Sequence, residues 1–236
     1  MDMAKKMCLI LTILFLSSCN ELQQVVNQLP QGTVLSNEEI ANGLKAALDK
    51  GVDQQVSKLA QTDGFFKNEL VKILLPEELR KVDKTLRDIG LDNLADEGLR
   101  VLNRAAEDAV GEATPIFINA IKEITFTDAK SILLGDDKAA TTYLMNRTET
   151  ELYNKFNPVI KSSFEKVGAD KIWNSLINRY NAIPLTTDVN PDLTDYVTTE
   201  ALDGVYTMIA LEEKEIRTKV SSRTTDILRR VFALQD

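Results

Sequence analysis

The sequence predicts an all-α protein: a single multi-helix globular domain of roughly eight to ten helices behind a lipoprotein signal peptide. Three observations predict it. Apolar residues recur at spacings of three and four along almost the whole chain after residue 36. Capping residues, first-turn prolines and terminal glycines divide that pattern into segments. The one alternating run, Ile124-Thr125-Phe126-Thr127, is too short for a convincing strand. A hydrophobic content of 44% with 27% charged residues is that of a globular chain, and 236 residues suit one domain. The low aromatic content, 6%, fits helices packed through Leu, Ile, Val and Ala. No repeat is visible that would build a solenoid.

The helices follow in order. Ser36-Asn37-Glu38-Glu39 has the form of a capping box, and Ile40, Leu44, Ala47, Leu48, Val52, Val56 and Leu59 then share a face. Gly51 is expected to weaken or bend this helix, and Thr62-Asp63-Gly64 to end it. A very apolar stretch from Phe65 to Leu75 leads to Pro76, which suits the first turn of a helix stopped by Gly90. Asp92 can cap the next, which Gly111 ends. Thr114-Pro115 reads as a cap with proline at the first helical position, and Thr127 as the cap of a short helix stopped by Gly135. Residues 136–167 continue the helical pattern, with Pro158 expected to kink or split it. Ile172, Trp173, Leu176, Ile177 and Tyr180 form another face, and residues 181–191 read as irregular. Residues 192–220 read as the longest helix. Ser221-Ser222 then interrupts before a last amphipathic turn or two around Ile227, Leu228, Val231 and Phe232.

The N-terminus reads as an address. Lys5 and Lys6 precede an apolar run over residues 7–16, MCLILTILFL. Ten helical residues cover about 15 Å, half of a bilayer core, which is right for a signal h-region and too short to span. The run ends in Leu16-Ser17-Ser18-Cys19, a match to the bacterial lipobox. Residues 1–18 are then the signal peptide, 19–35 the lipidated Cys19 and a polar, Gln-rich tether, and 36–236 the helical domain. Cys19 would carry a diacylglycerol thioether and an acyl chain such as palmitate on its amine. Two or three chains hold firmly where one does not. Asn20, by resemblance to lipoproteins of Gram-negative bacteria, points to the outer membrane, facing the periplasm or the outside. Cleavage removes Asp2, Lys5, Lys6 and Cys8, and turns a net charge of −8 into −9. That charge disfavours nucleic acid and repels anionic head groups.

The absence of histidine excludes a Ser-His-Asp triad and every His-ligated metal site, and two cysteines exclude a disulfide scaffold. Any catalysis would rest on Asp, Glu, Lys, Tyr, Ser or Thr. The candidate is an acidic stripe, Asp192, Tyr196, Glu200 and Asp203, beside the apolar face of Val197, Ala201, Val205 and Met208. It reads either as acid–base or cation-binding carboxylates, or as a solvated edge and partners for Arg179, Arg223 and Arg229. Asp188-Val189-Asn190-Pro191-Asp192 imitates the opening of an EF-hand loop but has Leu193 where that loop needs Gly. Asn146-Arg147-Thr148 is a chance glycosylation triplet, and Phe65-Phe66 reads as core or as a groove wall. No cofactor or resident metal is expected.

Several blocks carry a resemblance. They are Asp63-Gly64-Phe65, Leu75-Pro76-Glu77 with Lys81-Val82 and Leu86-Arg87, and Leu102-Asn103-Arg104-Ala105-Ala106-Glu107. Asp128-Ala129, Ile132-Leu133, Gly135, Ala139-Ala140-Thr141 and Tyr143 continue the series. So do Asp195-Tyr196-Val197-Thr198, Ala201-Leu202-Asp203-Gly204, and Arg223-Thr224-Thr225-Asp226 with Leu228-Arg229 and Val231-Phe232. Together they resemble the domain of unknown function family numbered 4197, bacterial secreted proteins and lipoproteins of about this length. The resemblance implies an extracytoplasmic helical domain and no activity. The leading expectation is therefore a non-enzymatic envelope lipoprotein that binds a partner or ligand at the membrane. The alternatives are a carboxylate-dependent cell-envelope hydrolase and a carrier of an apolar ligand.

Overall fold

The structure is a computed structural model. It describes residues 36–88, 90, 92–168, 192–223 and 225–233, which fall within one compact unit, Asn37–Asp236, except for Ser36. Cys19, Trp173, Arg179 and the 181–191 segment lie outside the described residues. Eight α-helices occur among those described: α1 (Asn37–Leu59), α2 (Glu77–Asp88), α3 (Asp92–Val110), α4 (Ala113–Lys122), α5 (Phe126–Leu133), α6 (Ala139–Val167), α7 (Leu193–Thr218) and α8 (Asp226–Phe232). A 3-10 turn, Val220–Ser222, precedes α8, and no strand occurs among these residues.

The core is a long antiparallel pair, α6 against α7. Thr141 pairs with Glu213, Thr148 with Tyr206 and Asn157 with Thr198, so residue numbers fall on α7 as they rise on α6. Leu144, Leu152, Phe156 and Ile160 of α6 and Val197, Ala201 and Val205 of α7 are fully buried. α3 packs on α6 through Leu102, Ala106, Ala109 and Val110, and Ser163 donates to Asp108 across that contact at 2.7 Å. α1 lies across α4, α5, α7 and α8 with Leu44, Val52, Val56 and Leu59 inward.

Pro158 does not split its stretch. α6 runs unbroken through it for 29 residues and is longer than α7, at 26. An interior proline costs about 3 kcal/mol or more. Phe156, Ile160 and Phe164 are buried on both sides of Pro158, and that burial outweighs the cost. α6 ends at Gly168, whose φ of 66° is the left-handed conformation glycine adopts freely. Gly51 likewise leaves α1 continuous.

Two caps differ from expectation. α5 is capped by Thr125: its Oγ1 accepts from the Asp128 N–H at 3.1 Å, while Asp128 Oδ2 accepts from the Thr125 N–H at 2.9 Å. That reciprocal box explains the alternating run at 124–127, which is a helix entry. α4 starts at Ala113 behind Glu112, so Pro115 falls third in the helix, where an N–H still has no intrahelical partner. Pro76 sits just ahead of α2 and accepts from the Leu79 N–H at 2.9 Å. No described helix is long and apolar enough to cross a membrane.

Candidate functional site

The acidic stripe lies along α7 but does not converge. Asp192 is the exposed N-cap, its Oδ1 accepting from the Thr194 N–H at 2.8 Å. Tyr196 is half-buried and donates its hydroxyl to the Leu74 carbonyl at 2.8 Å, tying α7 to the 60–76 loop. Glu200 is half-buried; burial first, and the Asp203 carboxylate second, push its carboxyl above the ordinary value. Asp203 is exposed. Asp192 and Asp203 are about 16 Å apart along a straight helix, beyond the ~5–9.5 Å of a glycosidase pair. Of the three carboxylates in the stripe, Glu200 and Asp203 stand one turn apart and are electrostatically coupled. Asp195, outside the stripe, accepts from Tyr153 of α6 and holds that phenol above its ordinary value.

The buried acids are elsewhere. Glu107 of α3 is 3% exposed. Its Oε1 accepts from the N–H groups of Phe65 and Phe66 at 3.1 and 3.4 Å, and its Oε2 from Asp63 N–H at 3.1 Å. Arg104 Nη1 approaches Oε2 at 3.1 Å. One turn earlier Asn103, fully buried, accepts from Ile73 N–H and donates to the Ile73 and Leu99 carbonyls, each at 2.8 Å. These two side chains stand in for the secondary structure the 60–76 loop lacks, because buried backbone groups must be paired. Asp63 turns the chain with a φ of 64° and pairs with Lys67 at 2.8 Å. A Cβ on Gly64 would sit 2.4 Å from the Leu59 carbonyl oxygen, and one on Gly204 of α7 would sit 2.6 Å from the Phe65 ring. Three of the sequence blocks thus meet at one loop. Phe65 is the core plug; Phe66 is half-buried with Lys72 and Arg100 each 4.6 Å from its ring centroid.

Glu213 of α7 is the second node. It accepts from the Ala140 and Thr141 N–H groups, both at 2.9 Å, and from the Thr141 hydroxyl at 2.8 Å. A carboxylate there meets the positive end of the α6 dipole. Arg217 pairs with it at 2.8 Å and donates to the Ile132 and Leu133 carbonyls at 2.8 and 3.2 Å, closing the C-terminal end of α5. Arg223, expected as an interhelical partner for acids, is 2% exposed and donates to the Ile216 and Arg217 carbonyls at 3.0 Å. Thr148 of the glycosylation triplet is buried against Tyr206, whose phenol burial pushes up to about 12.

Sequence reasoning quoted Glu107 without a role and passed over Glu213 and Arg217. The signal was available: Glu213 stands four after Ile209 and three before Ile216, inside the apolar stripe.

Among the described residues no group of three or more Asp, Glu, His or Cys is arranged to hold a metal ion. An apolar hollow bordered by Leu44, Leu48, Val52, Ile209, Ile216 and Phe232 leaves about 30 Å³, room for a water molecule but not for an acyl chain. A cleft of about 210 Å³ opens between α3 and the end of α6, with Arg100, Arg104 and Lys166 on its walls.

Against this geometry, a family model described as a protein of unknown function, DUF4197, matches residues 34–233. No curated protein and no solved structure matches the chain.

Proposed function

The chain belongs to the DUF4197 family of proteins of unknown function, and from that premise we propose that it is an extracytoplasmic, lipid-anchored bacterial lipoprotein that binds a partner or ligand at the membrane. The anchor is Cys19, placed at the outer membrane by Asn20. The observation that carries the binding half is the use of the buried acids. Glu107 and Glu213 are taken up by backbone N–H groups and arginines, and so serve as internal clips. Both carboxylates are buried and occupied within the fold, and neither is presented to a substrate.

The test is cross-linking in intact cells followed by capture of the tagged full chain, with Cys19→Ala as the control. Recovery of one specific envelope protein or lipid with the wild type, lost in the variant, supports the reading. Equal recovery with both argues against a role for the membrane.

One observation favours a carboxylate-dependent hydrolase: the raised carboxyl of Glu200 beside Asp203. A hydrolase loses its activity on envelope substrates in Glu200→Gln, whereas a binder is unaffected.

A further inference from the structure

We propose that the cleft between α3 and the C-terminal end of α6 is a binding site for a phosphate group. This gives the ligand-binding reading above a chemical class and needs no anchor, so the two fail separately. Across an acidic chain of net charge −8, three cations line this one cleft: Arg100, Arg104 and Lys166.

Two of them are held in place before any ligand arrives. Arg104 is fixed by the buried Glu107 carboxylate at 3.1 Å, with Asp63 at 3.5 Å. The Arg100 guanidinium lies 4.6 Å from the Phe66 ring centroid. A planar fork held this way loses little freedom when it meets an oxyanion. Lys166 is exposed and has no ion-pair partner among the described residues.

The two carboxylates on the cleft are already engaged. Asp108 accepts from Ser163 Oγ at 2.7 Å, and Glu97 approaches Arg100 at 3.7 Å. Glu97 is the internal competitor that a phosphate displaces from Arg100.

The remaining wall is apolar, Val101 and Ala105 with Val167 at 59% exposure. A phosphate ester with a short carbon substituent suits that wall better than a bare ion. The volume, about 210 Å³, is below that of pockets for drug-sized molecules and matches a head group, not a whole lipid. The shared chemistry is a phosphate mono- or diester, from a free metabolite or from a phospholipid head group.

The experiment titrates the purified full chain, in neutral detergent, with inorganic phosphate, glycerol 3-phosphate and dihexanoyl phosphatidylglycerol, followed by NMR shifts and calorimetry. Binding of at least one phosphate ester is expected, weakened about tenfold or more in Lys166→Gln and Arg100→Gln. Glu97→Gln is expected to tighten it, which a purely structural role for this residue does not produce. Arg104 is left intact because it also holds the loop clip. Binding of glycerol 3-phosphate assigns a free ester, and binding of the short-chain lipid alone assigns a head group. No binding of any of the three at millimolar concentration overturns the proposal. So does binding that ignores Lys166→Gln and Glu97→Gln. Either result leaves Cys19 lipidation untouched.

Discussion

The carboxylate of Glu213 and the guanidinium of Arg217, one turn apart on α7, meet at 2.8 Å with both side chains buried, and between them they close the ends of two other helices. The α5–α6 corner, Leu134 to Lys138, is short, and Lys138 at the N-cap of α6 makes no side-chain cap bond. The cap comes from across the core instead, 72 and 73 residues away in sequence. A buried pair gains little over an apolar one, but losing one partner strands the other.

Glu213→Ala therefore destabilises the fold by about 3–5 kcal/mol, because a buried guanidinium and two helix N–H groups lose their acceptor. Urea denaturation measures this. Glu213→Met combined with Arg217→Met is expected to cost less than Glu213→Ala alone, since the stranded charge is gone. A double variant as unstable as the summed singles contradicts that account.

Glu107→Gln keeps the shape but removes the charge that Arg104 meets and replaces one acceptor oxygen with an NH2 donor. The amides of Asp63, Phe65 and Phe66 then compete for a single acceptor. Hydrogen exchange at these three amides is expected to accelerate more than at Ile73, which Asn103 holds independently. Uniform acceleration across the protein would show that the clip is not local.

Gly64→Ala and Gly204→Ala separate two kinds of crowding. The new methyl at 204 meets the edge of the Phe65 ring, which can shift, at a cost of about 1–3 kcal/mol. At 64 it meets the Leu59 and Lys58 carbonyl oxygens, which belong to the end of α1 and cannot shift without unwinding it. Thermal melts are expected to rank Gly64→Ala as the less stable variant.

Acid sensitivity follows from three carboxyls. The Lys67 hydrogen bond holds Asp63 below its ordinary 3.8, and the Thr125 backbone and hydroxyl do the same for Asp128. Depressed carboxyls add stability above the ordinary value and lose it as the pH falls through the folded one. Asp63→Asn and Asp128→Asn should thus flatten the stability profile below pH 3.8. Glu200 runs the other way. Its carboxyl is raised by burial, so ionisation opposes folding as the pH climbs past 4.5, and Glu200→Gln should raise the melting temperature at neutral pH.

Much of the fold was legible because helix periodicity and punctuation are local. The faces of Leu44, Val52 and Val56, of Leu102, Ala106 and Val110, and of Val197, Ala201 and Val205 are buried as their spacing predicts. What misled was any feature whose outcome is set across the core. Pro158 reads as a kink or a split, and the split does not occur because buried Phe156 and Ile160 keep α6 whole. Thr127 reads as a cap, yet Thr125 has Asp128 three residues on. The acidic stripe was visible as a pattern on α7. That Asp192 caps the helix and Tyr196 ties down a loop depends on the helix end and on Leu74. Glu107 and Glu213 are easily passed over because carboxylates are read as surface by default; the position of Glu213 in the apolar stripe marks it as internal, and the distant amides give both acids their roles.

The central claim, that this helical domain hangs from lipid on Cys19, is tested most directly by intact mass spectrometry of the full chain purified from membranes of a Gram-negative host. The account predicts a polypeptide beginning at Cys19 and heavier than its sequence by a diacylglycerol and one further acyl chain, sensitive to Cys19→Ala. A soluble chain with the mass of unmodified polypeptide, cleaved anywhere other than before Cys19, would contradict it.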